Sequence, residues 1–196
     1  MNTKLITLIS SLPHFKANNG KILVNAINKM PGVLVKDLKY SDLMLPANQC
    51  NGVYVFQQGN KYQIMGEKEE QTSTKNGSIC WYVGKASSRA LVERIGAHFA
   101  PRHDDYMNSL LKNIAWLLSG FTTQKDFLNS KDNKYKNTCI EKALDVIQDL
   151  YIKVIVFDSP NNCKSDIAQA ESILKKELYP FLNDVNRKKQ KIILFP

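Results

Sequence analysis

Apolar positions along the chain follow two periods, and the places where one gives way to the other outline its elements. Gly52-Val53-Tyr54-Val55-Phe56 is rich in β-branched and aromatic residues and runs out at Gly59, which predicts a strand followed by a turn. A polar stretch from Glu67 to Ser78 separates it from a second strand, Ile79-Cys80-Trp81-Tyr82-Val83, read as stopped by Gly84. Ile152-Lys153-Val154-Ile155-Val156-Phe157 is a third strand, apolar enough to be central in a sheet.

The other period is helical. Leu23, Ala26, Ile27 and Met30 fall at i, i+3, i+4, i+7, and Pro31-Gly32 terminates the stripe. Leu91, Arg94, Ile95 and His98 share one face after Ser87-Ser88, either of which could cap, with Pro101 beyond the end. Met107, Leu110, Leu111, Ile114, Leu117 and Leu118 make an amphipathic helix, and Ala143, Leu144, Ile147 and Leu150 make another. The Lys- and Asn-rich interval from Gln124 to Asn137 is read as a loop between them. A last helix starts near Ser165-Asp166, carries Ile167, Ala170, Leu174 and Leu178, and must end by Pro180. With no repeat, no low-complexity tract and scattered prolines, the expected organisation is one compact domain with an N-terminal extension, residues 1–48.

Composition adds a partner class. Lys and Arg total 27 against 18 Asp and Glu, a formal charge of +9 that favours a polyanion. The run Leu5 to Ile9 is too short for a signal-peptide core or a membrane span, so a soluble, cytoplasmic protein is expected. Cysteines at 50, 80, 139 and 163 form no C-x-x-C pair and meet no histidine at zinc-finger spacing; they are read as free thiols, mostly buried.

A few residues sit awkwardly in a purely structural reading. Glu171 lies four residues after Ile167 and three before Leu174, along the apolar stripe of the last helix. It is either an edge glutamate reaching water or a carboxylate held inward to bind a cation. Arg94 and His98, one turn apart, are either solvated surface or, beside Tyr54 and Tyr82, a phosphate-binding and proton-handling cluster. His98 and His103, five apart, are a poor spacing for a zinc pair. Gly84 would let the backbone turn and present Lys85 at the strand end.

In order, Gly52-Val53-Tyr54, Tyr82-Val83-Gly84-Lys85, Arg94 with His98, Glu171, and Pro180 with Asn183 resemble the GIY-YIG endonuclease signature. The resemblance covers roughly residues 52–99 and 152–183. It implies an α/β (α+β) fold with a small central three-stranded mixed or antiparallel sheet flanked by helices. A nuclease domain over 49–196 would then carry a helical insertion at about 101–150. It implies a Mg²⁺- or Mn²⁺-dependent hydrolase of double-stranded DNA. Tyr54 and Tyr82 match the motif tyrosines, with Tyr54, assisted by His98, as first choice of general base and Tyr82 as second. Arg94 matches the phosphate-contacting arginine, Lys85 would lie nearby as a second positive charge, Glu171 matches the metal ligand, and Asn183 matches the asparagine that closes the motif. All are expected to converge on one cation and one phosphate.

Valine replaces isoleucine in both motifs, and the tyrosines stand 28 residues apart (82 − 54). That spacing, together with Lys85, is similar to type II restriction enzymes of the family, which implies a sequence-specific enzyme able to form a homodimer. A repair or mobile-element nuclease is the alternative, and a non-catalytic DNA-binding module is the reading from a different class. Arg187-Lys188-Lys189 with Lys191 would either contact phosphates or form a solvated tail.

Overall fold

A computed structural model describes residues 6–9, 20–38, 51–65, 79–86, 91–98, 109–157, 164–183 and 191–194. Outside these lie Cys50, the 67–78 stretch, Ser87, Ser88, Pro101, His103, Met107, Cys163 and the basic cluster Arg187, Lys188 and Lys189.

The expected α/β architecture is present, and its sheet is larger than three strands. The elements run β1 (Ile6–Ile9), α1 (Gly20–Lys29), β2 (Val33–Leu34), β3 (Gly52–Gln57), β4 (Tyr62–Met65), β5 (Cys80–Ala86), α2 (Leu91–Gly96) and α3 (Ser109–Ser119). They continue with α4 (Gln124–Asn129), α5 (Asn133–Asp149), β6 (Tyr151–Phe157), α6 (Lys164–Leu178) and β7 (Lys191–Leu194). β3 pairs antiparallel with β5 on one side and β6 on the other, so the three anticipated strands are contiguous, with β5 at one edge of the sheet. The far side of β6 receives β1 in parallel and β2 antiparallel. Two of the added strands therefore come from the N-terminal 48 residues. A separate two-stranded ribbon joins β4 to β7.

β3 and β6 read as unbroken apolar runs because both their faces are covered. Tyr54, Phe56, Ile152, Val154 and Val156 face α3 and α5, whereas Val53, Val55, Val83 and Ile155 face α1 and α6. The α1 stripe is thereby explained, since Leu23, Ile27 and Met30 are buried against α6 and the sheet. Lys153, buried in mid-strand, points the same way and donates from Nζ to the Ile27 carbonyl in the last turn of α1 (2.9 Å). A cation on carbonyls left unpaired at a helix C-terminus is a favourable placement.

The interval read as a loop is helical. Thr123 caps α4 by accepting from the Asp126 N–H (3.1 Å), and Asp132 caps α5 by accepting from the Tyr135 N–H (2.9 Å). These caps satisfy orphan donors that a polar composition alone does not reveal. Phe127, fully buried, fixes α4 to the core. Cys80 and Cys139 are free and buried. Among the described residues no helix is long and apolar enough to cross a membrane.

Candidate active site

Tyr54 is the third residue of β3, and its Cα partner across the ladder is Gly84. Contrary to the turn expected there, β5 continues through Gly84 and Lys85 to Ala86. The glycine serves a close approach instead. A Cβ at Gly84 would fall 2.5 Å from Tyr54 Cε2 and nearer still to Cζ and the hydroxyl, so only a bare Cα lets the phenol lie across the strand. Gly52, the other motif glycine, abuts the Ile155 carbonyl oxygen on β6 in the same manner.

The phenol so placed meets His98. Tyr54 Oη and His98 Nε2 are 2.8 Å apart, a buried hydrogen bond between residues 44 apart in sequence. α2 ends at Gly96, yet the tighter bond from the His98 N–H to the Ile95 carbonyl (2.9 Å) carries the chain round to keep His98 beside the sheet. The imidazole stands edge-on within a cage of Tyr54, Phe56 and Tyr82, at ring-centre distances of 5.4, 5.4 and 5.6 Å. Packing on three sides fixes its orientation.

Burial drives the Tyr54 hydroxyl well above the usual tyrosine range, and the Tyr82 hydroxyl adds to this. The Arg94 guanidinium acts the other way through its charge and a hydrogen bond, and Glu171 raises the value slightly further. The cationic environment expected to favour a phenolate is thus real at Arg94 but outweighed by desolvation. Tyr54 is a phenol in this state. Tyr82, 6% exposed, turns its hydroxyl to Ser109 Oγ at the start of α3 (2.8 Å).

Glu171 lies on α6, which packs on the opposite face of the sheet from the tyrosine rings. Its carboxylate is 14% exposed and accepts from two ammonium groups, Lys85 Nζ at 2.9 Å and Lys175 Nζ at 2.8 Å. The edge-of-stripe and inward alternatives merge here, because the backbone is at the edge of the apolar face while the carboxylate reaches β5. The charge of Lys85 is committed to Glu171 rather than standing free beside Arg94. The anticipated cluster accordingly has two halves. An aromatic half (Tyr54, Tyr82, His98, with Arg94) and a charged half (Lys85, Glu171, Lys175) meet across the end of β5, and Tyr54 senses Glu171 between them.

Asn183 belongs to neither half and anchors both. Its Oδ1 accepts from the Val83 N–H (2.6 Å) and its Nδ2 donates to the Val83 carbonyl (2.7 Å). Phe181 and Leu182 donate their N–H groups to the carbonyls of Cys80 and Trp81 (3.2 and 2.8 Å), so the turn after α6 covers the outer edge of β5. Tyr179, at φ 47°, makes the reversal before Pro180 that starts this turn.

Lys175, Ser109 and Asn113 were not singled out from sequence. Lys175 stands at i+4 from Glu171, the spacing of a helical ion pair, and could have been found on that rule. Ser109 and Asn113 are likewise polar positions at i, i+4, flanking Leu110 and Leu111 and followed by Ile114 and Ala115.

A phenol hydrogen-bonded to an imidazole, with a guanidinium near the same hydroxyl, is a set of groups compatible with hydrolysis of a phosphodiester. The class is therefore that of a phosphodiester hydrolase on a small α/β sheet. The chain belongs to the GIY-YIG family, since the family model for the GIY-YIG catalytic domain matches residues 52–193. No curated protein and no solved structure is matched by the chain. A domain of this family is an endonuclease domain, and its substrate is DNA.

Proposed function

We propose that the chain is a divalent-metal-dependent DNA endonuclease of the type II restriction kind, cutting plain duplex DNA at a fixed sequence and working as a homodimer in the cytoplasm. The hydrogen bond between Tyr54 and His98, with Arg94 against the same hydroxyl, carries this reading. A buried phenol far from its own ionisation cannot act as a free phenolate, but it can pass protons. In this scheme Tyr54 Oη takes a proton from the attacking water while its own proton moves to His98 Nε2, which must begin as the acceptor tautomer. Arg94 holds the scissile phosphate through its planar fork. The long tyrosine spacing and the Tyr-Val-Gly-Lys form support restriction over a repair or mobile-element role.

The donor set fits a hard cation with one protein ligand. Glu171 is a part-exposed carboxylate onto which two positive groups already converge, and Mg²⁺ often takes only one or two carboxylates with water and phosphate completing the shell. Bound there, Mg²⁺ or Mn²⁺ supplies Lewis-acid stabilisation of charge on the phosphate. Lys85, released from Glu171, then becomes available to the DNA backbone.

Glu171→Ala is expected to abolish cleavage of plasmid DNA while leaving DNA binding largely intact, and full activity of that variant in Mg²⁺ defeats the assignment. Tyr54→Phe and Tyr82→Phe, compared across pH, identify the hydroxyl required. Discrete fragments from intact duplex support restriction; cleavage confined to branched or damaged DNA moves the enzyme to repair.

A further inference from the structure

The helical insertion between α2 and β6 is not an appendage to the site. We propose that α3 braces the catalytic strand, with Ser109 and Asn113 as positioning residues; this rests on the nuclease reading above. α3 buries Leu110, Leu111, Ile114 and Ala115 in the core, and packing alone would be served by apolar residues throughout. Two polar side chains one turn apart break that face instead. Ser109 Oγ is 2.8 Å from Tyr82 Oη. Asn113, 2% exposed, donates from Nδ2 to the Leu182 carbonyl (2.7 Å), and its Oδ1 accepts from Gln124 Nε2 on α4 (2.5 Å).

The two contacts reach β5 by different routes, one directly and one through the turn after α6. Ser109 holds the tip of Tyr82. Asn113 holds Leu182, whose neighbour Asn183 grips both backbone groups of Val83, the residue after Tyr82. One turn of α3 thus closes a ring running Ser109, Tyr82, Val83, Asn183, Leu182, Asn113. A buried amide is tolerated only when satisfied, and here both ends of the Asn113 side chain are used. Holding β5 at two points fixes the height of Tyr82 beside His98 and Tyr54, and of Lys85 beside Glu171. Ser109 and Asn113 touch no reacting atom and act through Tyr82 and Asn183.

The test pairs kinetics with hydrogen exchange on the full chain. In Ser109→Ala the single-turnover rate on plasmid DNA is expected to fall roughly tenfold to a hundredfold, the scale of small misplacements in an active site, with DNA affinity and melting temperature unchanged. Ser109→Thr restores most of the rate. In a Tyr82→Phe background Ser109→Ala causes no further loss, because the contact it removes is already gone. Asn113→Leu, which keeps the branched side-chain skeleton without its donor and acceptor, is expected to speed amide exchange at Val83, Phe181 and Leu182 and to leave β6 protected. A wild-type rate in Ser109→Ala, a loss additive with Tyr82→Phe, or exchange rising uniformly across the sheet overturns the brace. Should the wild-type chain cut no DNA with Mg²⁺ or Mn²⁺, the nuclease reading fails by itself, and the exchange experiment still decides the brace.

Discussion

Gly84→Ala is the smallest substitution that should disable the site, and its effect can be worked from the geometry. The new methyl carbon would lie 2.5 Å from Tyr54 Cε2, whereas non-bonded carbons rest at about 3.5–4.0 Å. The ring must therefore retreat by about 1 Å or more. Tyr54 is 0% exposed and hemmed by Phe56, Tyr82 and His98, so no free space receives it. Overpacking of this kind costs about 1–3 kcal/mol. For a chain of this size that lowers the melting temperature by roughly 2–12 °C, at about 2–4 °C per kcal/mol. The same displacement stretches the 2.8 Å bond to His98 past hydrogen-bonding range, and a misplacement near 1 Å lowers the rate by about 100-fold. Urea unfolding and single-turnover cleavage measure the two effects. A double-mutant cycle with Tyr54→Ala isolates the cause, because once the ring is gone the methyl has room and Gly84→Ala becomes neutral or slightly stabilising. Equal destabilisation in the presence and absence of the Tyr54 ring would refute the close-approach argument.

Two further expectations concern pH and the buried lysine. Because the folded state holds the Tyr54 proton more tightly than the unfolded chain, with its ordinary value of 10.0, the associated stability is complete below pH 10 and is lost as pH rises beyond it. Tyr54→Phe should remove that part of the alkaline slope in urea titrations, and because folded Tyr54 stays a phenol near pH 10, the folded variant should show the same phenolate difference spectrum there as wild type. Lys153 has the opposite sign: burial lowers its pKa below 10.5, the unfolded chain binds the proton more strongly, and stability from this residue rises with pH up to 10.5. At pH 7 Lys153→Met is expected to stay within about 1.5 kcal/mol of wild type, since losing the bond to Ile27 is offset by removing a buried charge. The comparison should then shift in favour of wild type as pH climbs towards 10.5, and a difference constant with pH would count against a Lys153 pKa lowered by burial.

The family was more readable in the sequence than the scaffold. Tyr54, Tyr82, Arg94, His98, Glu171 and Asn183 could be nominated as site candidates because their order and element types form a signature that does not depend on packing. The apolar runs of β3 and β6 announced strands covered on both faces. Gly84 was read as a turn because a glycine needed for left-handed backbone and one needed for a neighbour's ring look alike until the neighbour is placed. α4 and the start of α5 were hidden by their Lys and Asn content, although Thr123 and Asp132 are strong N-cap residues. Lys85 was read from the strand end without an acidic partner in view, because the Glu171 it pairs with lies 86 positions on (171 − 85). Lys153 carried a signal that went unused: a lysine amid a fully apolar strand must find an acceptor, and a helix end is a ready one.

The pairing of β1 with β6 also governs how the molecule can be made. Ile6 registers with Val154, a separation of 148 residues (154 − 6), so β1 waits for a strand synthesised much later. Long-range pairing of this sort raises contact order and slows folding. On the ribosome the β3–β5 ladder can form early, while β6 and α6, which brings Glu171, are still to emerge. Closure of the whole sheet, and with it the pairing of Glu171 with Lys85, therefore waits on β6 and α6.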